Sequence, residues 1–229
     1  MKKYAIIVAG GSGTRMDSTT PKQFLDLAGK PILMHTIDAF YLANMDIDII
    51  VVLPDNQKEH WNELCDKHEF TTPHRLTTGG KERYHSVKNG LKLTEPDSLV
   101  AVHDGVRPLV SIRIIHTAYK LAEEYGIAIP TITPTESVRM MEEPETVTVD
   151  RNRIRIIQTP QAFKTNILTE AYRQPYRKEF TDDASIVEYA NHPITLFHGS
   201  EENIKITTLL DLKIAKTILL HQFESLLPL

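Results

Sequence analysis

The chain has 229 residues, of which 41% are hydrophobic and 24% are charged. This composition is sufficient for a sizeable hydrophobic core and excludes a largely disordered chain. The formal net charge is −4, and the basic residues are scattered along the sequence. We therefore expect neither a nucleic-acid-binding surface nor a polybasic membrane patch, and any anion must be bound by a local group of cations.

Cysteine usage and the first residues of the chain bear on the cellular compartment. The single cysteine, Cys65, excludes an internal disulfide and a thiolate metal cage. The apolar run before Gly10 is too short for a signal peptide or a membrane span. From these features we expect a cytoplasmic protein.

Short apolar segments alternate with longer amphipathic segments through the first half of the chain. The short ones are rich in β-branched residues and predict buried strands at Tyr4–Val8, Ile47–Leu53, Leu99–Val102 and Ile127–Pro130. Apolar residues at helical spacing predict helices at Pro31–Tyr41, Gln57–His68, Lys81–Leu93 and Ile112–Tyr125, the last with Ser111 as its N-cap. Such alternation predicts a Rossmann-like α/β fold, with a mostly parallel sheet flanked by helices.

The alternation breaks between residues 131 and 155, where two extended segments flank the acidic turn Glu142–Glu145. This pattern predicts a protruding β-hairpin arm at about residues 133–156. A two-stranded hairpin is marginally stable alone, so we expect the arm to pack on a second subunit and form a homodimer. We expect residues 1–229 to form a single domain that includes this arm.

The segments after the arm return to the α/β pattern. We expect two helices, then a strand and a last amphipathic helix, at Lys164–Tyr172, Asp182–Tyr189, Ile194–His198 and Leu210–His221. Thr181, followed by two acidic residues, is a candidate N-cap for the second of these helices.

A glycine-rich segment, Ala9–Met16, follows the first predicted strand. Glycines allow backbone N–H groups to approach phosphate oxygens closely. Arg15 and Lys22 add two cations, which suit a triphosphate whose negative charge grows on the leaving pyrophosphate. A tight turn after a strand would explain one or two glycines but not three beside these cations. The candidate nucleotide-binding residues here are Ala9, Gly10, Gly11 and Gly13.

Two other phosphate-binding loops do not match this segment. A Walker A loop needs Gly-Lys-Ser/Thr, which Gly13-Thr14-Arg15 does not supply. A dinucleotide fingerprint would place glycine at the position of Met16 and an acidic residue about 20 positions further on. The segment therefore disfavours a P-loop kinase and a dinucleotide-dependent reductase.

The glycine-rich segment and the Pro-Lys-Gln-Phe run that begins at Pro21 resemble the signature of sugar and polyol-phosphate nucleotidyltransferases, a superfamily that handles several bases. Four later segments, 79–87, 102–108, 149–163 and 180–207, narrow the resemblance. Each resembles the cytidylyltransferase family of the non-mevalonate isoprenoid pathway, which makes CDP-methylerythritol from CTP and 2-C-methyl-D-erythritol 4-phosphate. Mg²⁺ or another divalent cation is the cofactor that this activity implies.

The resemblance also implies roles on the nucleotide side. Gly80, Lys81 and Ser86 correspond to residues that bind the nucleotide, and small residues let a flat cytosine approach a backbone that reads its edge. Asp104 follows an apolar strand, where open parallel sheets bind ligands, and is placed to meet a substrate hydroxyl or Mg²⁺. Asp104 and Arg107 are candidate substrate-binding residues, and Arg107 either counters charge nearby or pairs with Asp104 to close a turn.

The candidate residues for binding the acceptor come from segments that are far apart in the sequence. In the family, the arginine at the position of Arg151 reaches across a dimer interface to the acceptor phosphate, a task that suits its bidentate fork. Lys205 matches a second acceptor-positioning cation, while Ser137 and Thr159 are candidate acceptor contacts. A solvated basic strand at Arg151 and an ordinary surface lysine at Lys205 remain open alternatives. The predicted catalytic residues are Arg15, Lys22, Arg151 and Lys205.

The chemistry implied by this resemblance needs no general base, because a phosphate monoester is largely dianionic at neutral pH. Accordingly, the sequence offers no obvious Ser-His-Asp or Cys-His constellation and no metal-ligand histidine spacing. The nearest alternative is a ribitol-5-phosphate cytidylyltransferase, although Asp150-Arg151-Asn152 and Thr181–Ser185 are closer to the isoprenoid enzyme. A non-catalytic nucleotide-binding regulator is disfavoured because all four predicted catalytic cations are present.

Overall fold

The structure, a computed structural model, describes residues 1–10 and 20–224. Its strands are β1 (Lys3–Val8), β2 (Asp26–Leu27), β3 (Lys30–Pro31), β4 (Ile47–Leu53), β5 (Arg75–Thr78), β6 (Leu99–Asp104), β7 (Ile127–Ile132), β8 (Val138–Glu142), β9 (Glu145–Val149), β10 (Ile156–Ile157), β11 (Gln161–Lys164) and β12 (Thr195–His198). Its α-helices are α1 (Ile32–Ala43), α2 (Lys58–Lys67), α3 (Arg83–Leu91), α4 (Ile112–Tyr125), α5 (Thr165–Ala171), α6 (Asp183–Tyr189) and α7 (Leu209–Glu224). Among the described residues, no helix is both long enough and apolar enough to span a bilayer.

The main sheet has the strand order β10-β7-β11-β6-β1-β4-β5, with β12 also paired to β7. Strands β6, β1, β4 and β5 are parallel, whereas β11 runs antiparallel to β6 and β7. From β1 the chain proceeds outward to β4 and β5, then returns to β6 on the other side of β1. This reversal creates a topological switch point where Val8 and Asp104 lie in register, and ligands bind at such points.

Alternating residues of the central strand supply two hydrophobic layers. Ala5 and Ile7 face the layer covered by α1, α2 and α4, while Tyr4 and Ile6 face the layer covered by α3, α5 and α6. A third, smaller cluster under α7 includes Ile206. The sheet is therefore buried on both faces, as the continuous apolar runs of β4 and β6 require.

The predicted Rossmann-like α/β fold is confirmed, and the predicted strands and helices are present with end shifts of a few residues. Ser111 caps α4 as predicted, since its Oγ accepts a hydrogen bond from the Ile114 N–H at 3.3 Å. The prediction that Thr181 caps α6 is wrong. Asp182 is the N-cap. Its carboxylate accepts a hydrogen bond from the Ser185 N–H at 2.9 Å, and the Ser185 Oγ accepts one from the Asp182 N–H.

The hairpin arm is also present. Strands β8 and β9 pair antiparallel around the acidic turn, and they form a sheet separate from the main one. Three apolar side chains of the arm are exposed, namely Met140 at 51%, Met141 at 68% and Val147 at 37%. The arm thus buries little apolar surface within its own chain.

Replacement of Ser111 by alanine removes the acceptor that caps α4. We expect the free energy of unfolding to fall by about 1 kcal/mol, measured by urea denaturation at neutral pH. Ser111→Asp retains an acceptor at the same position and serves as the matched control. Equal losses in the two variants would contradict a capping role.

Candidate active site

The carboxyl ends of β1 and β6 open onto a cleft of about 310 Å³. Five separate segments of the chain supply its walls. The predicted site residues among those that line it are Ala9, Gly10, Lys22, Gly80, Lys81, Ser86, Asp104 and Lys205. Three others, Gly11, Gly13 and Arg15, lie outside the described residues. The fold thus brings both halves of the predicted nucleotide site to the switch point of the sheet.

The turn before α3 has little room for side chains. A Cβ atom on Gly80 would lie 2.3 Å from the Cβ of His85, so only glycine fits without a shift of the backbone. The Gly80 N–H donates to Ser86 Oγ at 3.0 Å, and the Ser86 hydroxyl donates to the Glu82 carbonyl at 3.2 Å. Ser86 therefore holds the turn in shape, and its predicted contact with cytosine remains a prediction.

The turn that carries Lys22 packs against α2 and against Gln57, the residue that precedes this helix. Phe24 stacks on Trp61 with ring centroids 6.0 Å apart, and Trp61 is fully buried. Gln23 donates from Nε2 to Gln57 Oε1 at 2.6 Å. These contacts fix the turn, so the position at which Lys22 lines the cleft depends on the packing of α2.

Asp104 lies at the end of β6, 8% exposed, and faces three cations. Its Oδ1 is 3.5 Å from Arg83 Nε, while its Oδ2 is 3.0 Å from Lys205 Nζ. Arg107 Nε lies 3.3 Å from the same Oδ2. Burial alone would raise the pKa of Asp104, but the adjacent Arg83, Lys205 and Arg107 hold it well below its usual range. The carboxylate is therefore ionised at neutral pH.

A second recess of about 230 Å³ adjoins the cleft. Arg83, Asp104 and Lys205 line both spaces and form the wall between them. The predicted acceptor residues Arg107 and Thr159 line the second recess only. The structure therefore brings Asp104, Arg107, Thr159 and Lys205 together in one recess.

Arg107 is also a structural residue. It donates from Nη1 to the Asn203 carbonyl at 2.7 Å, and its backbone N–H donates to the Asp104 carbonyl at 3.1 Å. The turn-closing alternative for Arg107 is thus observed together with its place in the recess. The contact with Asn203 also ties the segment that carries Lys205 to the end of β6.

The predicted site residues of the hairpin arm, Arg151 and Ser137, do not line the cleft or the recess of their own chain. Arg151 follows β9 in a short 3₁₀ turn and donates to the Thr135 carbonyl. Neither Arg151 nor Ser137 is among the described residues that line the cleft or the recess within one chain. Their contact with an acceptor, which the resemblance places across a dimer interface, remains a prediction.

The ion pair between Arg83 and the fully buried Asp183 was not predicted from the sequence. Arg83 Nη2 lies 2.7 Å from Asp183 Oδ2, and Asp183 is fully buried at the start of α6. One signal was available, because Arg83 is the first residue of α3 and the helix dipole disfavours a cation there. A cation at that position indicates an anionic partner nearby.

His103 lies in β6, is fully buried and makes hydrogen bonds from both nitrogens of its ring. The carbonyl of Arg107 is an acceptor, so His103 donates to it from Nε2 at 3.1 Å. His103 Nδ1 then accepts from the Thr159 hydroxyl at 2.9 Å, and the same hydroxyl oxygen accepts from the Asp104 N–H at 3.1 Å. Burial lowers the pKa of His103 to about 4. The imidazole is therefore neutral, and it links the Arg107 carbonyl to the Thr159 hydroxyl, two residues that line the recess.

A mostly parallel sheet with a cationic, glycine-lined cleft at its switch point defines an α/β protein that binds phosphate-bearing ligands, of the nucleotide-binding class. The family model described as 2-C-methyl-D-erythritol 4-phosphate cytidylyltransferase matches residues 4–221. The chain belongs to the 2-C-methyl-D-erythritol 4-phosphate cytidylyltransferase family.

Individual relatives agree with this assignment. The Bacteroides thetaiotaomicron protein of that name is 47% identical over 219 residues, covering 96% of this chain and 100% of the relative. The Porphyromonas gingivalis protein of the same name is 49% identical, with 95% and 98% covered. The crystal structure of 4-diphosphocytidyl-2C-methyl-D-erythritol synthase from Anaerococcus prevotii superimposes with a TM-score of 0.81 at 27% identity, covering 95% of this chain and 96% of that one. The Thermus thermophilus cytidylyltransferase gives a TM-score of 0.75 at 29% identity, with 95% and 98% covered.

The neutral, buried His103 makes stability depend on pH. The unfolded residue binds a proton below its ordinary pKa of 6.5, whereas the native residue binds one only near pH 4. The free energy of unfolding should therefore fall as the pH drops through this window, by up to about 3 kcal/mol in total. Urea denaturation at intervals between pH 7 and 4 measures the slope.

His103→Gln retains a donor near the Arg107 carbonyl but cannot titrate. We expect its stability to vary less steeply with pH than that of the wild type, by up to about 1.4 kcal/mol per pH unit in the same window. Parallel profiles for the two proteins would show that His103 does not carry this dependence.

Proposed function

We propose that the chain transfers CMP from CTP to 2-C-methyl-D-erythritol 4-phosphate, giving CDP-methylerythritol and pyrophosphate for isoprenoid precursor synthesis. Family membership supports this activity. The structural observation that carries it is the pair of adjoining recesses, which share the wall formed by Arg83, Asp104 and Lys205. A transferase that joins two phosphate-bearing substrates needs such a meeting point.

The larger cleft suits the nucleotide. Lys22 and Lys81 provide cations along it, and Gly10 and Gly80 leave the backbone open to close approach. Arg15 belongs to the same proposed triphosphate site by its place in the sequence. These groups would stabilise the charge that develops on the leaving pyrophosphate.

The smaller recess suits the acceptor phosphate. An oxygen of the acceptor phosphate attacks the α-phosphorus of CTP, and the bond between that phosphorus and the bridging oxygen of pyrophosphate breaks. Pyrophosphate leaves with the electron pair of the broken bond. Lys205 and Arg107 offset the repulsion between the two anions. No base is required because the acceptor is already dianionic, and no histidine or cysteine lines either recess among the described residues.

We also propose Mg²⁺, or another divalent cation, as cofactor. The described part of the chain contains no group of three or more histidine, cysteine, aspartate or glutamate side chains arranged to hold a metal. Mg²⁺ is commonly bound through one or two carboxylates and the phosphates of a substrate, and Asp104 is an ionised carboxylate in the cleft. The residues present therefore fit a cation held mainly by the triphosphate, which would neutralise part of its charge.

We propose a homodimer formed through the hairpin arm. The exposed Met140, Met141 and Val147 are apolar surface that a partner would cover. An arm that docks on a partner would carry Arg151 and Ser137 away from their own cleft and towards the other subunit. This arrangement would reconcile the proposed acceptor role of Arg151 with its distance from the recess of its own chain.

The activity is tested by measuring pyrophosphate release from CTP with each of two acceptors, 2-C-methyl-D-erythritol 4-phosphate and ribitol 5-phosphate. We expect turnover with the first, and loss of it when EDTA removes divalent cations. Turnover with ribitol 5-phosphate alone would overturn the acceptor assignment. CTP binding without turnover on either acceptor would indicate a nucleotide-binding regulator.

Two lysine variants separate the proposed sites in the same assay. Lys22→Met should lower kcat by orders of magnitude, because Lys22 lies on the nucleotide side. Lys205→Ala should mainly raise the KM for the acceptor. Near-normal turnover in Lys22→Met would contradict the proposed triphosphate site.

Mixing inactive subunits tests whether Arg151 acts across the dimer. Lys22→Met and Arg151→Ala proteins are unfolded together, refolded as a mixture and assayed. In a mixed dimer, the site of the Arg151→Ala subunit has its own Lys22 and receives Arg151 from its partner. Recovered activity is expected, whereas a mixture no more active than its components would place Arg151 in the site of its own chain.

A further inference from the structure

Arg83 occupies the wall between the nucleotide cleft and the acceptor recess. Its guanidinium spans two carboxylates, with Nη2 2.7 Å from Asp183 Oδ2 and Nε 3.5 Å from Asp104 Oδ1. A guanidinium is planar and rigid, so contacts at two of its nitrogens define its orientation. Arg83 therefore links the buried start of α6 to the acidic residue at the end of β6.

The two oxygens of Asp104 are divided among its cations. Oδ1 faces Arg83, whereas Oδ2 faces Lys205 and Arg107. The Lys205 side chain is 41% exposed, and it would move if a substrate phosphate attracted it. Arg83 therefore keeps the plane of the Asp104 carboxylate fixed from the side opposite to Lys205.

Asp183, the ion-pair partner of Arg83, is held in place by a buried network. Asp183 is fully buried, and its Oδ1 accepts a hydrogen bond from the Tyr172 hydroxyl at 2.5 Å. The Tyr172 ring stacks at 4.8 Å on Tyr84, the residue that follows Arg83 in α3. The Tyr84 hydroxyl in turn donates to the Gln174 carbonyl at 2.5 Å. A buried network of hydrogen bonds and stacked rings restricts movement of the groups it contains.

Starting from the function proposed above, we propose that Arg83 is a positioning residue that holds the Asp104 carboxylate at the junction of the two substrates, with Asp183 as its anchor. Arg83 acts through Asp104 and needs no contact of its own with either substrate. A cation at this place also keeps the buried Asp183 paired while the recesses fill and empty.

A double-mutant cycle on kcat tests this role. Arg83→Lys and Asp104→Asn are made singly and together and assayed for pyrophosphate release with CTP and the acceptor that the wild type uses. Lysine keeps the charge and can pair with Asp183, but it lacks the fork that spans both carboxylates. We expect kcat to fall about tenfold to a hundredfold in Arg83→Lys, with much smaller changes in both KM values. In the Asp104→Asn background, Arg83→Lys should have no further effect on kcat.

A control variant and a second test variant accompany the cycle, and thermal melting checks that each protein is folded. Arg75→Lys makes the same substitution in a bidentate ion pair with Asp48, remote from both recesses, and should leave kcat unchanged. Asp183→Asn releases the anchor without lining either recess, and should lower kcat in the same manner as Arg83→Lys. If Arg83→Lys does not fold, Asp183→Asn replaces it in the cycle.

The outcomes distinguish this inference from the proposed function. Unchanged kcat in both Arg83→Lys and Asp183→Asn would overturn it, and so would an undiminished effect of Arg83→Lys in the Asp104→Asn background. If the wild type released no pyrophosphate from CTP with either acceptor, the proposed function itself would fail, and the inference with it.

Discussion

The charge balance around Asp104 is the interaction on which the rest of the site depends. Three cations, Arg83, Arg107 and Lys205, lie within 3.5 Å of its carboxylate, and without that anion they would repel one another in a poorly solvated place. Asp104 thus allows the chain to keep these cations assembled before any phosphate arrives. Lys205 is the most exposed of the three side chains, so it is the cation best able to follow an incoming substrate.

The sheet topology explains why these groups meet. The end of β6 lies directly beside the end of β1, and the Gly105 N–H donates to the Val8 carbonyl at 2.9 Å. A Cβ atom on Gly105 would come within 2.9 Å of the Ala9 Cβ, so the two loops approach each other more closely than side chains allow. The loop after β6 and the start of the glycine-rich loop after β1 are therefore parts of one surface.

Much of this arrangement could be predicted from the sequence, because local patterns encode it. The apolar runs of β1, β4 and β6 predict a buried parallel sheet, and residues after such strands meet at one edge. Strand β5 was missed because Arg75–Thr78 contains a single apolar residue, and β11 because it is short and inserts antiparallel beside β6. The pairing of Arg83 with Asp183 joins residues about a hundred positions apart, and only tertiary packing makes it visible.

The aromatic packing beneath the Lys22 turn also determines where the tryptophan fluorescence of the protein originates. Trp61, which stacks beneath Phe24, is the chain's one tryptophan. Its indole N–H donates to His74 Nε2 at 3.0 Å, so the ring is held both by stacking and by a hydrogen bond. The tryptophan fluorescence of the protein therefore originates at a single place, next to a wall of the cleft. A ligand that enters the cleft would therefore change the emission of Trp61, with no added label.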